Sequence, residues 1–113
     1  MSQIDWFTKY SENFDLLENA LKEAKLWSSV APSQEAMESS MPFAVDTMRF
    51  EQWLQFIFLP KMRDSVAAKQ LPPGPAQILP IAEEVYKEQL EAVRSVLNAL
   101  RKFDEISHLS HLH

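Results

Sequence analysis

Cysteine is absent from the chain, which excludes disulfides, thiolate metal sites and cysteine nucleophiles. Glycine is almost absent: Gly74 is the only one in 113 residues, against seven prolines. Glycine-rich phosphate loops of the P-loop or dinucleotide-binding kind are excluded with it. An all-β chain of this size also consumes glycine in its tight turns. The shortage therefore predicts helices joined by few, proline-marked connections. Long apolar runs are missing as well. The longest, Phe56 to Pro60, is far too short to cross a bilayer, so no membrane partner is expected. The first residues, Met1 to Asp5, lack the basic and apolar regions of a signal peptide. With cysteine absent, the cytoplasm is the expected compartment.

Histidine is confined to the end of the chain, at His108, His111 and His113. Nucleophilic catalysis needs a base beside the nucleophile, and chain termini are seldom held rigid enough to supply one. The spacing H-E-x-x-H does not occur, and E-x-x-H occurs once, at Glu105 and His108, where a di-iron bundle needs it on two helices. The carboxylate pairs Glu83-Glu84 and Asp104-Glu105 are sequence neighbours, and on a helix such neighbours point about 100° apart. They read as solvated faces. No enzymatic activity, cofactor or metal is expected.

Eleven basic residues against sixteen acidic ones give a net charge of −5, which works against free nucleic acid as a partner. Only the stretch 40–80 escapes the acidic bias. Arg49, Lys61, Arg63 and Lys69 lend it a mild basic character, but Glu51 and Asp64 are interleaved with them, and direct RNA binding is not expected.

Helical periodicity, by contrast, is plain. Ile4, Phe7, Tyr10, Phe14, Leu17, Leu21 and Ala24 recur at three- and four-residue steps, predicting a first helix that Ser2 would cap. From Ser28 to about Met48 the pattern stops, and Pro32, Pro42 and several serines mark a long connection. Ser33 is placed to cap one helical turn within it. A second helix is predicted from about Arg49 to Ala68. Its first half, Phe50 to Leu59, is apolar nearly all round, as befits a helix at the centre of a protein or against a partner. Pro60 removes a backbone hydrogen bond, and a kink is expected there. Leu71-Pro72-Pro73-Gly74-Pro75 is a turn, and Pro80 suits the first turn of the next helix. Residues 81–106 allow one helix, or two broken at Lys87-Glu88-Gln89 where the apolar stripe is interrupted.

Residues 41–63 concentrate the unusual features: Met41-Pro42-Phe43, Asp46-Thr47-Met48, Phe50-Glu51-Gln52-Trp53-Leu54-Gln55-Phe56 and Leu59-Pro60-Lys61-Met62-Arg63. Trp27, Pro32-Ser33, Leu71-Pro72 and Pro80-Ile81-Ala82-Glu83-Glu84 flank this run. Together they resemble the YqcC-like family of small bacterial helical proteins, over roughly residues 4–106. The resemblance implies an all-α fold, a four-helix bundle of up-down type, and a link to tRNA pseudouridine modification through a neighbouring synthase gene. It brings no reaction with it.

The expected organisation is one domain over residues 1–107, with a long loop between the first two helices, a kink at Pro60 and a flexible tail at 108–113. The expected function is that of a non-enzymatic accessory protein that binds a protein partner, such as a pseudouridine synthase, through segment 41–63. The candidate contact residues are Phe43, Asp46, Trp53, Gln55, Phe56, Met62 and Arg63. An exposed apolar patch around Trp53, Phe56 and Met62, with Arg63 beside Trp53, is expected to form its centre. Asp46 has a competing role as the cap of the second helix. The alternative function is small-ligand binding, in a pocket between the first and second helices with Gln55, Arg63 or Asp46 as polar contacts. Burying the second helix on all sides would also be met by a homodimer.

Overall fold

The computed structural model describes residues 4–112, and among these the regular structure is helical throughout. Helix α1 (Trp6–Glu23) turns Tyr10, Phe14, Leu17 and Leu21 inward, as the three- and four-residue spacing requires. Ser2 lies outside the described residues, and the capping side chain is that of Asp5. Its carboxylate accepts from the Thr8 amide at 3.2 Å and from the Thr8 hydroxyl at 2.7 Å.

The connection after α1 is folded. Ser33 caps a short helix, α2 (Gln34–Met37), by accepting from the Ala36 amide at 3.1 Å. A 3₁₀ turn (Pro42–Ala44) comes next. Thr47 donates its hydroxyl hydrogen to the Ala36 carbonyl at 2.7 Å, and Ser39 donates to Asp46 at 2.5 Å. These bonds close the second half of the connection, residues 36–47, on itself.

The central rod begins with α3 (Phe50–Trp53), widens into a π turn (Leu54–Phe58) and continues as α4 (Leu59–Ala67), with Pro60 in the first turn of α4. Asp46 does not cap this rod, because its carboxylate is held by Ser39. The backbone N–H of Arg49 donates instead to the Gln52 side chain at 2.9 Å. None of the apolar residues from Phe50 to Leu59 is exposed. A single chain therefore covers this stretch, and the burial argument for a second copy does not apply to it.

Helix α5 (Leu79–Val85) and helix α6 (Arg94–Ser110) are separate. The helix stops where Tyr86 turns inward and Lys87, Glu88 and Gln89 turn to solvent. Asp104 of α6 caps α5, accepting from the Ile78 and Leu79 amides at 2.9 Å each. Helix α6 carries regular backbone through Ser110, beyond His108, where the expected tail begins. Ser110 is buried because its hydroxyl donates to the Ser107 carbonyl and accepts from the Tyr10 phenol at 2.7 Å. His111 donates Nε2–H to the Pro72 carbonyl at 2.8 Å. The start of α1 thus lies against the end of α6.

The core is a chain of aromatic contacts. Tyr10 and Phe14 meet Phe103, Phe103 meets Phe58 at 5.0 Å between ring centroids, and Phe58 meets Trp53 at 5.3 Å. Trp53 then meets Phe43 at 4.8 Å and Phe50 at 5.8 Å, and Phe50 meets Tyr86 at 6.1 Å. Tilted, edge-on and stacked pairs of this kind contribute about 0.5–1.5 kcal/mol each beyond the area they bury. The series runs from the α1–α6 contact to the wall of a surface groove.

Candidate functional site

The groove lies between the end of the long connection, the start of the central rod and α5, with a volume of about 600 Å³. Phe43, Val45 and Met48 come from the connection, Arg49, Phe50 and Glu51 from the start of the rod, and Ile81, Val85 and Tyr86 from α5 and its end. Leu26 and Gln89 complete it. Two of its apolar residues are largely uncovered: Val45 is 66% exposed and Val85 50%. Exposed valines in a concave apolar wall mark a contact surface better than isolated apolar residues on a convex one.

Local backbone geometry shapes the wall. Phe43 and Ala44 adopt φ of 58° and 49°, in the left-handed region that non-glycine residues avoid. Such conformations cost on the order of 1–3 kcal/mol each and persist where surrounding contacts enforce them. Here the contacts are those of Phe43 with Trp53 and Phe50 and the burial of Ala44.

The polar groups of the groove centre on Glu51 and Tyr86. The Tyr86 hydroxyl donates to Glu51 Oε1 at 2.7 Å. Burial, and then the adjoining carboxylate, push the phenol well above its usual pKa, so it remains a donor. Arg49 lies at the exposed rim.

Of the residues singled out from the sequence, only Phe43 lines this groove, and Trp53 supports it from behind. Gln55 is buried and committed to structure. Its amide accepts from the Ser28 N–H and donates to the Ser28 carbonyl, both at 2.8 Å, tying the chain after α1 to the rod. Arg63 is not beside Trp53 as a free contact. It reaches α1, pairing with Asp15 at 3.0 Å and Glu18 at 2.9 Å. Met62 is buried, while Trp53 and Phe56 are half-buried, so the expected exposed patch around these three does not form. The groove is also not the expected pocket between the first and second helices, and neither Gln55, Arg63 nor Asp46 lines it. Glu51, Val85 and Tyr86 were missed. Nothing in the spacing of residues 81–86 places them opposite Phe43.

No helix among the described residues is long and apolar enough to cross a membrane. No group of histidines and carboxylates among them is arranged to hold a metal ion, and His113 lies outside the described residues.

Comparison with known proteins identifies relatives along most of the chain. A protein of Haemophilus influenzae, named only as uncharacterized, is 32% identical over 93 residues, covering 80% of this chain and 88% of that protein. The uncharacterized protein YqcC of Escherichia coli is 31% identical over 90 residues, covering 80% of this chain and 83% of its own length. A Pectobacterium carotovorum protein named tRNA pseudouridine synthase C is 51% identical over 49 residues, which are 43% of this chain but 13% of that protein. The solution NMR structure of E. coli YqcC superposes with a TM-score of 0.81 at 27% identity, covering 92% of this chain and 89% of that one. The family model DUF446, described as tRNA pseudouridine synthase C, matches residues 9–106. The helical fold, the full-length relatives and this match agree: the chain belongs to the YqcC-like family.

Proposed function

We propose that this chain is a non-enzymatic accessory protein that binds a protein partner through the groove between Phe43–Glu51 and α5, and that the partner is a tRNA pseudouridine synthase. The observation that carries the reading is the apolar concavity with Val45 and Val85 left uncovered in it. An uncovered apolar concavity gains by desolvation when a partner fills it. Two findings support the synthase. The matching family model bears that enzyme's description. In the Pectobacterium protein of that name, a stretch resembling part of this chain belongs to the same polypeptide as the rest of the enzyme. In this reading the chain is one cytoplasmic domain, a four-helix bundle of up-down type bent near Pro60. One copy engages the synthase, and the chain itself makes no direct contact with RNA.

The test is a calorimetric titration of the purified chain with tRNA pseudouridine synthase C from the same organism, repeated with Val85→Asp. The expected result is saturable binding by the wild type, and loss of most of it in a variant that melts at the wild-type temperature. No binding by the wild type at tens of micromolar would overturn the partner (about −6 kcal/mol is the affinity at stake there).

The groove volume favours one other reading. At about 600 Å³ it falls within the range of small-molecule sites, roughly 300–1,000 Å³. A small apolar compound that raises the melting temperature of the wild type but not of Val85→Asp would support ligand binding in place of docking.

A further inference from the structure

We infer that the segment this groove takes from its partner carries a lysine or arginine among apolar residues, and that Glu51 anchors it. The inference rests on the groove being a protein-docking site and specifies what docks there.

Glu51 is half-buried at the start of the rod, between the apolar side chains of Phe50, Ile81 and Val85 that line the same groove. One of its oxygens accepts from the Tyr86 hydroxyl at 2.7 Å. That bond fixes the carboxylate without neutralising it, since the phenol supplies a hydrogen and no charge. Ion pairs among the described residues join Lys22 to Glu18, Arg63 to Asp15 and Glu18, Lys87 to Glu84 and Arg94 to Glu91, and none includes Glu51. Arg49 is the groove's own cation, but it is exposed at the rim and makes no pair with Glu51. Positions two apart on a helix do not face each other. A carboxylate oriented by one hydrogen bond and flanked by apolar walls attracts a cation more strongly than a fully solvated one does.

The surroundings have the same sign. Between Leu79 and Arg94 the chain carries Glu83, Glu84, Glu88 and Glu91 against Lys87 and Arg94. The two cations are taken by Glu84 and Glu91, which leaves Glu83 and Glu88 in excess. An acidic flank beside a half-buried carboxylate complements a basic polypeptide segment and repels a phosphate backbone. An apolar groove with one fixed charge reads a partner through apolar anchors and a single charge-assisted contact.

The test is selection of peptides of about a dozen random residues, displayed on phage, against the full chain, keeping those that fail to bind the uncharged groove variant Val85→Gln. The retained peptides are expected to carry a lysine or arginine between apolar residues. They should lose about tenfold or more in affinity against Glu51→Gln, whose amide oxygen still accepts from Tyr86. Changing the peptide's basic residue to glutamine should cost a similar factor on the wild type and little more on Glu51→Gln. The peptide change alone keeps the test sound if the variant fails to fold. Groove-binding peptides that lack a basic residue, or that bind Glu51→Gln unchanged, would overturn the inference and leave the docking reading standing. So would acidic peptides, or a single-stranded RNA that binds in the groove. Recovery of no groove-dependent peptide would overturn it too, while the synthase titration would still decide the docking reading.

Discussion

Gln55 shows how a polar residue in an apolar run is explained by its hydrogen bonds. Buried beside Leu54, it takes both backbone groups of Ser28, as a neighbouring strand would in a sheet. Gln55→Ala leaves an N–H and a carbonyl short of partners, and the loss expected in urea denaturation is about 1–3 kcal/mol. A loss below a few tenths would show that water replaces the amide. Gly74 illustrates a different constraint. A Cβ there would stand 2.3 Å from Ser107 Oγ and 2.9 Å from the His111 ring. The serine is held in place, accepting from the Ala76 amide at 2.9 Å. Gly74→Ala is therefore expected to lower stability by about 1–3 kcal/mol, and Ser107→Gly in the same chain should restore part of it. The only glycine in the sequence is needed for close approach.

At the scale of elements, the features legible in the sequence obey local rules. The α1 stripe, the Ser33 cap and the Pro80 first turn depend on residues a few positions apart, whereas the sequence leaves residues 81–106 open as one helix or two. The roles of Asp46, Gln55 and Arg63 depend on partners 7, 27 and 48 positions away. Those contacts are products of packing, and no spacing rule contains them. The Asp104 cap of α5 is another such long-range contact, and it carries a pH signature. Burial raises its carboxyl above the ordinary value, outweighing the two backbone N–H bonds that act the other way. The native state thus holds this proton more tightly than the unfolded chain. The group's contribution to stability is full below the ordinary aspartate range and is lost as pH rises through the raised value. Relative to Asp104→Asn, the melting temperature of the wild type should fall as pH increases from about 3 to about 6. Glu18 has the opposite sign. Its hydrogen bond with Lys22, and then Arg63, lower it, so its contribution is present above the ordinary glutamate range and is lost on acidification. A wild-type melting temperature that rises relative to Asp104→Asn over that interval would contradict the Asp104 assignment.

At the scale of the whole molecule, the fold class was legible and the site was not. An apolar helix of the Phe50–Leu59 kind has to be covered, and the chain covers it with its own connection, α1 and α6. An uncovered apolar concavity lies instead where residues 43–51 meet residues 81–89, two stretches whose juxtaposition exists only after folding. The aromatic series from Phe103 through Phe58 and Trp53 to Phe43 joins that groove to the core, so the wall is packed against the core where the partner is proposed to sit. The most direct test is a ¹H–¹⁵N correlation spectrum of the labelled chain titrated with unlabelled tRNA pseudouridine synthase C. The account predicts that the amides of Phe43–Glu51 and Ile81–Gln89 shift or broaden first, while the exposed amides of α1 and α6 stay in place. Changes centred on α1 and α6 with an unperturbed groove would contradict it.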